Sequence, residues 1–287
     1  MLYFITSGKF ISMFEYQYII KDNAIVDSVA FDSSFVSQVY EVIRVVDGVP
    51  VFFDAHFRRF ISSCSFAGVE MNLSKDVFAT LLNLLTLKNG VRNCNIRYSV
   101  NIYSDKQVFY AGFVHSNYPL PQMYEEGVVL DFLNAERFNP NAKILNRTLR
   151  ERADALMSLK SLYEVALVNQ ANQITEGSKS NLFFIDSFEV VHTAPLDFVL
   201  GGITRQIIIE EIVKNGIPLV EEPVLVKNIG DMVAGLVSGT SPSVLPIALL
   251  GNRSFLVKHP LIAKIAKCYS QRVAEDIASF RDNYYSI

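Results

Sequence analysis

The sequence predicts a mixed α+β chain in two domains, and three observations carry that expectation. Apolar runs that read as strands recur along its length, "YEVIRVV", "NIRYSVNIYS" and "NLFFID" among them. Between them lie apolar positions at helical spacing, bounded by cap and stop residues. One Pro-rich polar break, "NYPLPQMYEEG" over 117–127, divides the chain. The expected organisation is therefore 1–117 as the N-terminal domain, 118–126 as a linker and 127–287 as the C-terminal domain.

In chain order, "YEVIRVV" leads through "DGVP" into "VFFDAH", an expected hairpin with Asp-Gly turn chemistry. "FRRFISSCSFAG" reads as a helix that stops at Gly68. "LSKDVFATLLNLLTLKNG" reads as a second helix, N-capped by Ser74 and stopped by Gly90. The strands "NIRYSVNIYS" and "QVFYAGFVHS" follow, joined at "DK". Beyond the break come the strand "VVLDFL", the helix "NRTLRERADALMSLK" and the strands "YEVALVN", "NLFFID" and "EVVHTA". The helix "TRQIIIEEIVKNG", the strands "GLVSGT" and "VLPIALL", and a last helix starting near His259 complete the order.

Composition limits the functional classes. Half of the 287 residues are hydrophobic and 19% are charged, as in a globular protein, and a net charge of −3 gives no basic footprint for nucleic acid. Cys64, Cys94 and Cys268 are odd in number and irregularly spaced, which fits buried thiols in a reducing compartment. "MLYFITSGKF" lacks the pattern of a secretion signal, and the window 232–251, with Pro242 and Pro246, reads as strands rather than a membrane span. A cytoplasmic protein is the expectation.

No nucleophile elbow, zinc-protease motif, Walker loop or dinucleotide fingerprint occurs. His56, His115, His192 and His259 are too scattered to suggest a metal site. The polar residues at strand edges remain. Lys143, in "NPNAKILN", is either a snorkelling side chain or a desolvated amine of lowered pKa. Glu176, in "ITEGSKSNLFF", is either part of a surface turn or a carboxylate held for chemistry. "GGITR" sets two glycines ahead of a helix, so the amides of Ile203 and Thr204 offer a seat for phosphate, or the glycines simply make a tight turn. "SGTS" adds hydroxyls after a strand, and Arg59, ending "HFRR", is a phosphate-type cation or a solvated helix charge.

Taken as an ordered set, "VYEVIRV…FDAHFRRF", "NAKILN", "YEVALVNQANQITEGSKSNLFF", "GGITRQIIIEEI" and "VSGTSPSVLPI" resemble the fold-type IV family of pyridoxal-phosphate enzymes. That family includes branched-chain and D-amino-acid aminotransferases and aminodeoxychorismate lyase, and the resemblance runs from about residue 37 to 250. It implies a small α/β N-terminal domain, a C-terminal domain with a barrel-like sheet, pyridoxal 5′-phosphate between them and a homodimer. It also implies site roles: Lys143 as Schiff-base lysine, Glu176 on the pyridine nitrogen and Tyr163 on the phenolic oxygen. Arg59, the amides of Ile203 and Thr204, and Thr240 would hold the phosphate.

The expected reaction is transfer of an amino group between an amino acid and a 2-oxo acid. "FVSQVYE" replaces the Gly-Asp-Gly-type segment of many members, which alters the entrance near Ser37 and Tyr40. Ile102 and Tyr103 stand where D-amino-acid aminotransferases carry an Arg-Gly pair, while Arg97 matches an arginine of the branched-chain enzymes' substrate pocket. An L- or branched-chain-like substrate is the expectation. Ser243 replaces a frequent glutamate, which keeps a lyase releasing pyruvate and 4-aminobenzoate as the alternative, followed by a non-catalytic ligand-binding relative.

Overall fold

The computed structural model describes residues 13–137 and 142–285. The remaining positions, on which the reading of the opening segment and part of "NPNAKILN" fall, lie outside the described residues. Two compact units result, one drawn from Met1–Asn117 and Ile277–Ile287, the other from Tyr118–Asp276.

The first unit is an antiparallel sheet backed by two helices. Its strands are β1 (Tyr18–Lys21), β2 (Ala24–Asp27), β3 (Ser37–Val46), β4 (Val49–Pro50), β5 (Cys94–Ile102) and β6 (Gln107–Val114), in the order β2-β1-β6-β5-β3-β4. The helices are α1 (Phe53–Phe66) and α2 (Lys75–Asn89). Ser74 caps α2 by accepting from the Val77 amide, and Gly90 ends it at φ 68°, as its sequence signals require.

The run "VFFDAH" is not the strand its composition suggests. Pairing ends at Pro50, Phe52 turns left-handed at φ 55°, and α1 begins at Phe53. Helical spacing wins because it buries more aromatic surface. Phe53 and Phe57 both reach Phe78, and Phe60 packs edge-on against Tyr98 at 4.9 Å.

The second unit contains α3 (Pro121–Glu126), β7 (Val128–Asn134), α4 (Arg147–Lys160), β8 (Glu164–Val168), β9 (Ile174–Gly177), β10 (Asn181–Asp186) and β11 (Val191–His192). It continues with α5 (Ile203–Lys214), β12 (Leu219–Val220), β13 (Met232–Gly239), β14 (Ser243–Leu250), β15 (Arg253–Ser254) and α6 (Pro260–Tyr284). The expected linker is thus partly helical: Pro121 sits in the first turn of α3, where its missing N–H costs nothing, and Gly127 ends the helix at φ 74°.

The strands of this unit run β12-β11-β10-β13-β14-β7-β8-β9, with β15 beside β14. β7 pairs in parallel with both β14 and β8. The turn from β9 to β10, closed by the Gly177 amide on the Ser180 carbonyl at 2.8 Å, returns the last strand towards the other half of the sheet and curls it into a half barrel. One face of β8 packs on α4 through Val165, Leu167, Leu149 and Ala153, while Ala166 and Val168 enter the main cluster with Leu130, Leu182 and Leu245. This alternation is that of a strand buried on both sides.

The last turns of α6 belong with the first unit, not with the second domain as the sequence boundaries had it. The reason is aromatic packing: Phe280 meets Phe53 edge-on at 5.5 Å, and the Tyr285 hydroxyl donates to the Gly48 carbonyl at 2.9 Å.

Candidate active site

The site grows from β9. Glu176 is the third residue of this four-residue strand and is only 2% exposed. Its Oε1 accepts from Arg137 Nε, and its Oε2 accepts from the Leu200 amide at 3.0 Å. Asn181 Nδ2 lies 3.5 Å from the same Oε2 and donates to the Leu200 carbonyl at 3.0 Å. One carboxylate and one asparagine therefore tie β9 and β10 to the loop that enters α5.

That loop is "GGITR". Gly202 is the N-cap of α5 and supplies no side-chain cap, so the N-cap position offers no side-chain oxygen to the first amides of the helix, Ile203 and Thr204 among them. Gly202 is dictated by space: a Cβ there would lie 2.1 Å from Asn181 Oδ1. Thr240 follows β13, whose Ser238 pairs with Asn181, so the "SGTS" turn lies at the same end of the sheet. Gly202→Ala is expected to cost about 1–3 kcal/mol of stability through this clash, read as a lower Tm. An unchanged Tm would mean that the Asn181 bridge is not a fixed part of the site.

Burial pushes the Glu176 carboxyl above the usual carboxylate range. Arg137 opposes this by charge and by hydrogen bond, the Leu200 amide helps, and nearby Glu164 adds an upward push. With its folded pKa raised, Glu176 contributes stability that is complete below its unfolded pKa and is lost as pH rises through the folded value. Arg137→Met removes the main opposing influence, so the acidic limb of kcat/KM is expected to move to higher pH. A limb that stays in place would separate Arg137 from the ionisation of Glu176.

Lys143 lies half-buried between Ala142 and Ile144, and the Ile144 amide donates to the Ala142 carbonyl across it at 3.0 Å, a γ-turn just ahead of α4. Asn146 caps α4 by accepting from the Leu149 amide at 3.0 Å. Tyr163 stands apart from the hydrogen bonds around Glu176. Its ring packs with Met123 and Tyr124 on the Val128–Leu130 cluster, and burial pushes its hydroxyl pKa up.

The first unit holds the other expected residues, on two faces of its sheet. Glu41 points to the helices, where it is fully buried and accepts from Arg59 Nε at 2.7 Å and Nη2 at 2.6 Å, with His56 Nδ1 3.4 Å away. Tyr40 and Arg97 share the opposite face, and the Arg97 guanidinium stacks 3.8 Å from the Tyr40 ring centroid. Arg97 Nη2 donates to Gln38, whose Nε2 continues to Ser99 at 3.0 Å and Asn101 at 2.6 Å. Burial pushes the Arg97 pKa down, and Tyr40 and Glu41 oppose it. Tyr103, at the substituted Arg-Gly position, donates through its hydroxyl to the Asp32 carbonyl at 2.7 Å.

Sequence reasoning missed Arg137, Asn181 and Leu200. Asn181 lay inside the quoted "ITEGSKSNLFF" and could have been read as a second polar group at a strand entry. Arg137 stands 39 positions before its carboxylate, without a local signal.

The second unit thus offers a buried anion and, bridged to it, an uncapped helix N-terminus. Such a pair fits a group with a protonatable ring nitrogen at one end and a phosphate at the other. The comparisons agree. Residues 38–250 match the family model "Amino-transferase class IV". The "Probable branched-chain-amino-acid aminotransferase" of Thermotoga maritima is 27% identical over 244 residues, covering 83% of this chain and 86% of that protein. The D-alanine aminotransferase of Listeria innocua is 24% identical over 240 residues, covering 79% and 83%. The crystal structure of the Thermoproteus uzoniensis branched-chain aminotransferase with norvaline superposes with a TM-score of 0.80 at 20% identity, covering 93% of this chain and 98% of that one. A further branched-chain amino acid aminotransferase, solved with pyridoxamine 5′-phosphate, superposes equally well, with a TM-score of 0.80 at 19% identity. The buried carboxylate, the glycine-led helix and the family match lead to one statement: the chain belongs to the class IV aminotransferases, enzymes that move amino groups between amino acids and 2-oxo acids with pyridoxal 5′-phosphate.

Proposed function

We propose that Lys143 and Glu176 are the two chemical poles of this aminotransferase, and that its substrate is an L-amino acid of branched-chain-like character. The observation that carries the reading is Glu176, buried as a carboxylate and joined through Leu200 and Asn181 to the start of α5. When bound, pyridoxal phosphate supplies an aldehyde that takes up the amino group and a ring that accepts the electron pair left at Cα.

The chain's residues supply the rest. The Lys143 amine would hold the cofactor's aldehyde carbon and, when free, would take the proton from the substrate Cα. Glu176, held ionised and aimed by Arg137, keeps a proton on the ring nitrogen. The Ile203 and Thr204 amides and the Thr240 hydroxyl would receive the phosphate, and the family resemblance assigns the same role to Arg59, which Glu41 orients. Tyr163, its ring anchored on the core cluster, offers its hydroxyl to the phenolic oxygen. The Tyr40–Arg97 stack is the proposed substrate contact.

A homodimer in the cytoplasm completes the proposal, supported by family habit. Among the described residues no helix is long and apolar enough to cross a membrane. The deciding experiment is an absorbance scan of the loaded protein against a panel of L- and D-amino acids. Conversion of the cofactor band by L-leucine, L-isoleucine or L-valine, with amino transfer to 2-oxoglutarate, is the expected result. Conversion by D-amino acids alone would overturn the substrate assignment. Release of 4-aminobenzoate from aminodeoxychorismate, without amino transfer, would replace it with the lyase reading.

A further inference from the structure

Glu164 is a buried carboxylate that the proposed chemistry does not use. It opens β8, is 1% exposed, and lies among amides and hydroxyls. Its Oε1 accepts from the Val165 amide at 2.9 Å, the Ser178 amide at 3.2 Å and the Ser178 hydroxyl at 2.5 Å. Its Oε2 accepts from the Lys179 amide at 3.3 Å and the Ser180 hydroxyl at 2.8 Å. Ionised carboxylates are acceptor-only groups with about four lone-pair sites, so this donor set uses the anion fully. Four of the five donors come from one segment, Ser178–Ser180, which directly follows the strand of Glu176.

The turn so held is crowded as well as bonded. A Cβ at Gly177 would lie 2.0 Å from Ser180 Oγ and 3.1 Å from Glu164 Cδ. Ser178 is its hub. Its carbonyl accepts from Arg137 Nη2 at 3.3 Å, and its hydroxyl accepts from Arg150 Nη2 at 2.6 Å while donating to Glu164. Arg137, which grips Glu176 through Nε, is thus located by a carbonyl whose own position Glu164 fixes.

We infer that Glu164 is a positioning residue: working through Ser178 and Arg137, it sets where the Glu176 carboxylate points and so how firmly the ring nitrogen of the cofactor is held. The inference rests on the proposed pairing of Glu176 with that nitrogen. Position and charge make opposite demands here. By charge alone the Glu164 anion disfavours a second anion at Glu176, so neutralising it would strengthen the nitrogen contact. By position, neutralising it releases the turn and weakens the contact.

The test is calorimetric titration of the full-length, cofactor-free protein with two probes. One is pyridoxal phosphate; the other is its 1-deaza analogue, which keeps the aldehyde and phosphate but has carbon at the ring-nitrogen position. Wild type is expected to bind pyridoxal phosphate more tightly by about tenfold or more, the worth of a hydrogen bond to a charged group. In Glu164→Gln and, with the carboxylate retained, Ser178→Ala, this ratio is expected to fall to about threefold or less, while affinity for the deaza analogue stays close to wild type. If Glu164→Gln does not fold, Ser178→Ala decides alone. A ratio that stays at the wild-type value, or rises, overturns the positioning role and leaves the Glu176 reading intact. A wild type that does not discriminate between the probes overturns the Glu176 reading itself, and the positioning role with it.

Discussion

Lys143→Ala is expected to abolish amino transfer, with turnover below about one part in 10⁴ of wild type, because the proposed mechanism gives this one amine both the cofactor's anchorage and the Cα proton. The fold should be spared. Lys143 is half-buried, and the γ-turn around it is made by the backbone of Ala142 and Ile144, so alanine keeps the local geometry. Two measurements check this. Borohydride treatment of the loaded protein should add the cofactor's mass to wild type and not to the variant, and thermal unfolding of the cofactor-free forms should coincide. Substantial turnover in the variant would remove Lys143 from the chemistry.

Glu176→Gln is expected to be the next most damaging change. The amide has the same shape, yet it cannot satisfy its neighbours: Arg137 Nε, the Leu200 amide and Asn181 Nδ2 are all donors, so wherever the new NH₂ points it meets another donor. On the proposed pairing, the ring nitrogen also loses the anion that keeps it protonated. A fall of about 10²- to 10³-fold in kcat is the scale for losing one preorganised electrostatic contact. Breaking a buried ion pair by removing one partner should cost about 3–5 kcal/mol of stability as well. Arg137→Met combined with Glu176→Gln tells the two losses apart, because it leaves no uncompensated buried charge. Stability should largely return in the double variant while kcat does not. Recovery of both would make Glu176 a structural residue.

Particular residues explain which parts of the fold and of the proposed site the sequence marks and which it does not. Glu176, Ile203 and Thr204 stand out in the sequence as candidates because each sits beside small residues at the end of a strand or the start of a helix. Ser74, Gly90 and the glycines of "GGITR" were legible for the same local reason. Arg137 was not, since an ion pair that spans 39 positions leaves no periodic or compositional trace. Glu164 was hidden differently: inside "YEVALVN" it reads as the polar start of a strand, and only the folded turn supplies its donors. "VFFDAH" misled because β-branched and aromatic residues suit strands until a ring stack of Phe53, Phe57 and Phe78 rewards helical spacing. The short strand β12 is set by its parallel pairing with β11 (Val191 beside Leu219), a partner well back along the chain that local pattern does not contain.

The packing of Phe280 and Tyr285 against Phe53 and Gly48 bears on how the protein is made. During vectorial synthesis the residues of the first unit leave the ribosome early, yet one wall of their hydrophobic centre arrives only after all of Tyr118–Asp276 has emerged. The nascent first unit must wait, with the ring of Phe53 lacking one neighbour, while the second completes its sheet. The final helix therefore acts as a late closing step for the oldest part of the polypeptide.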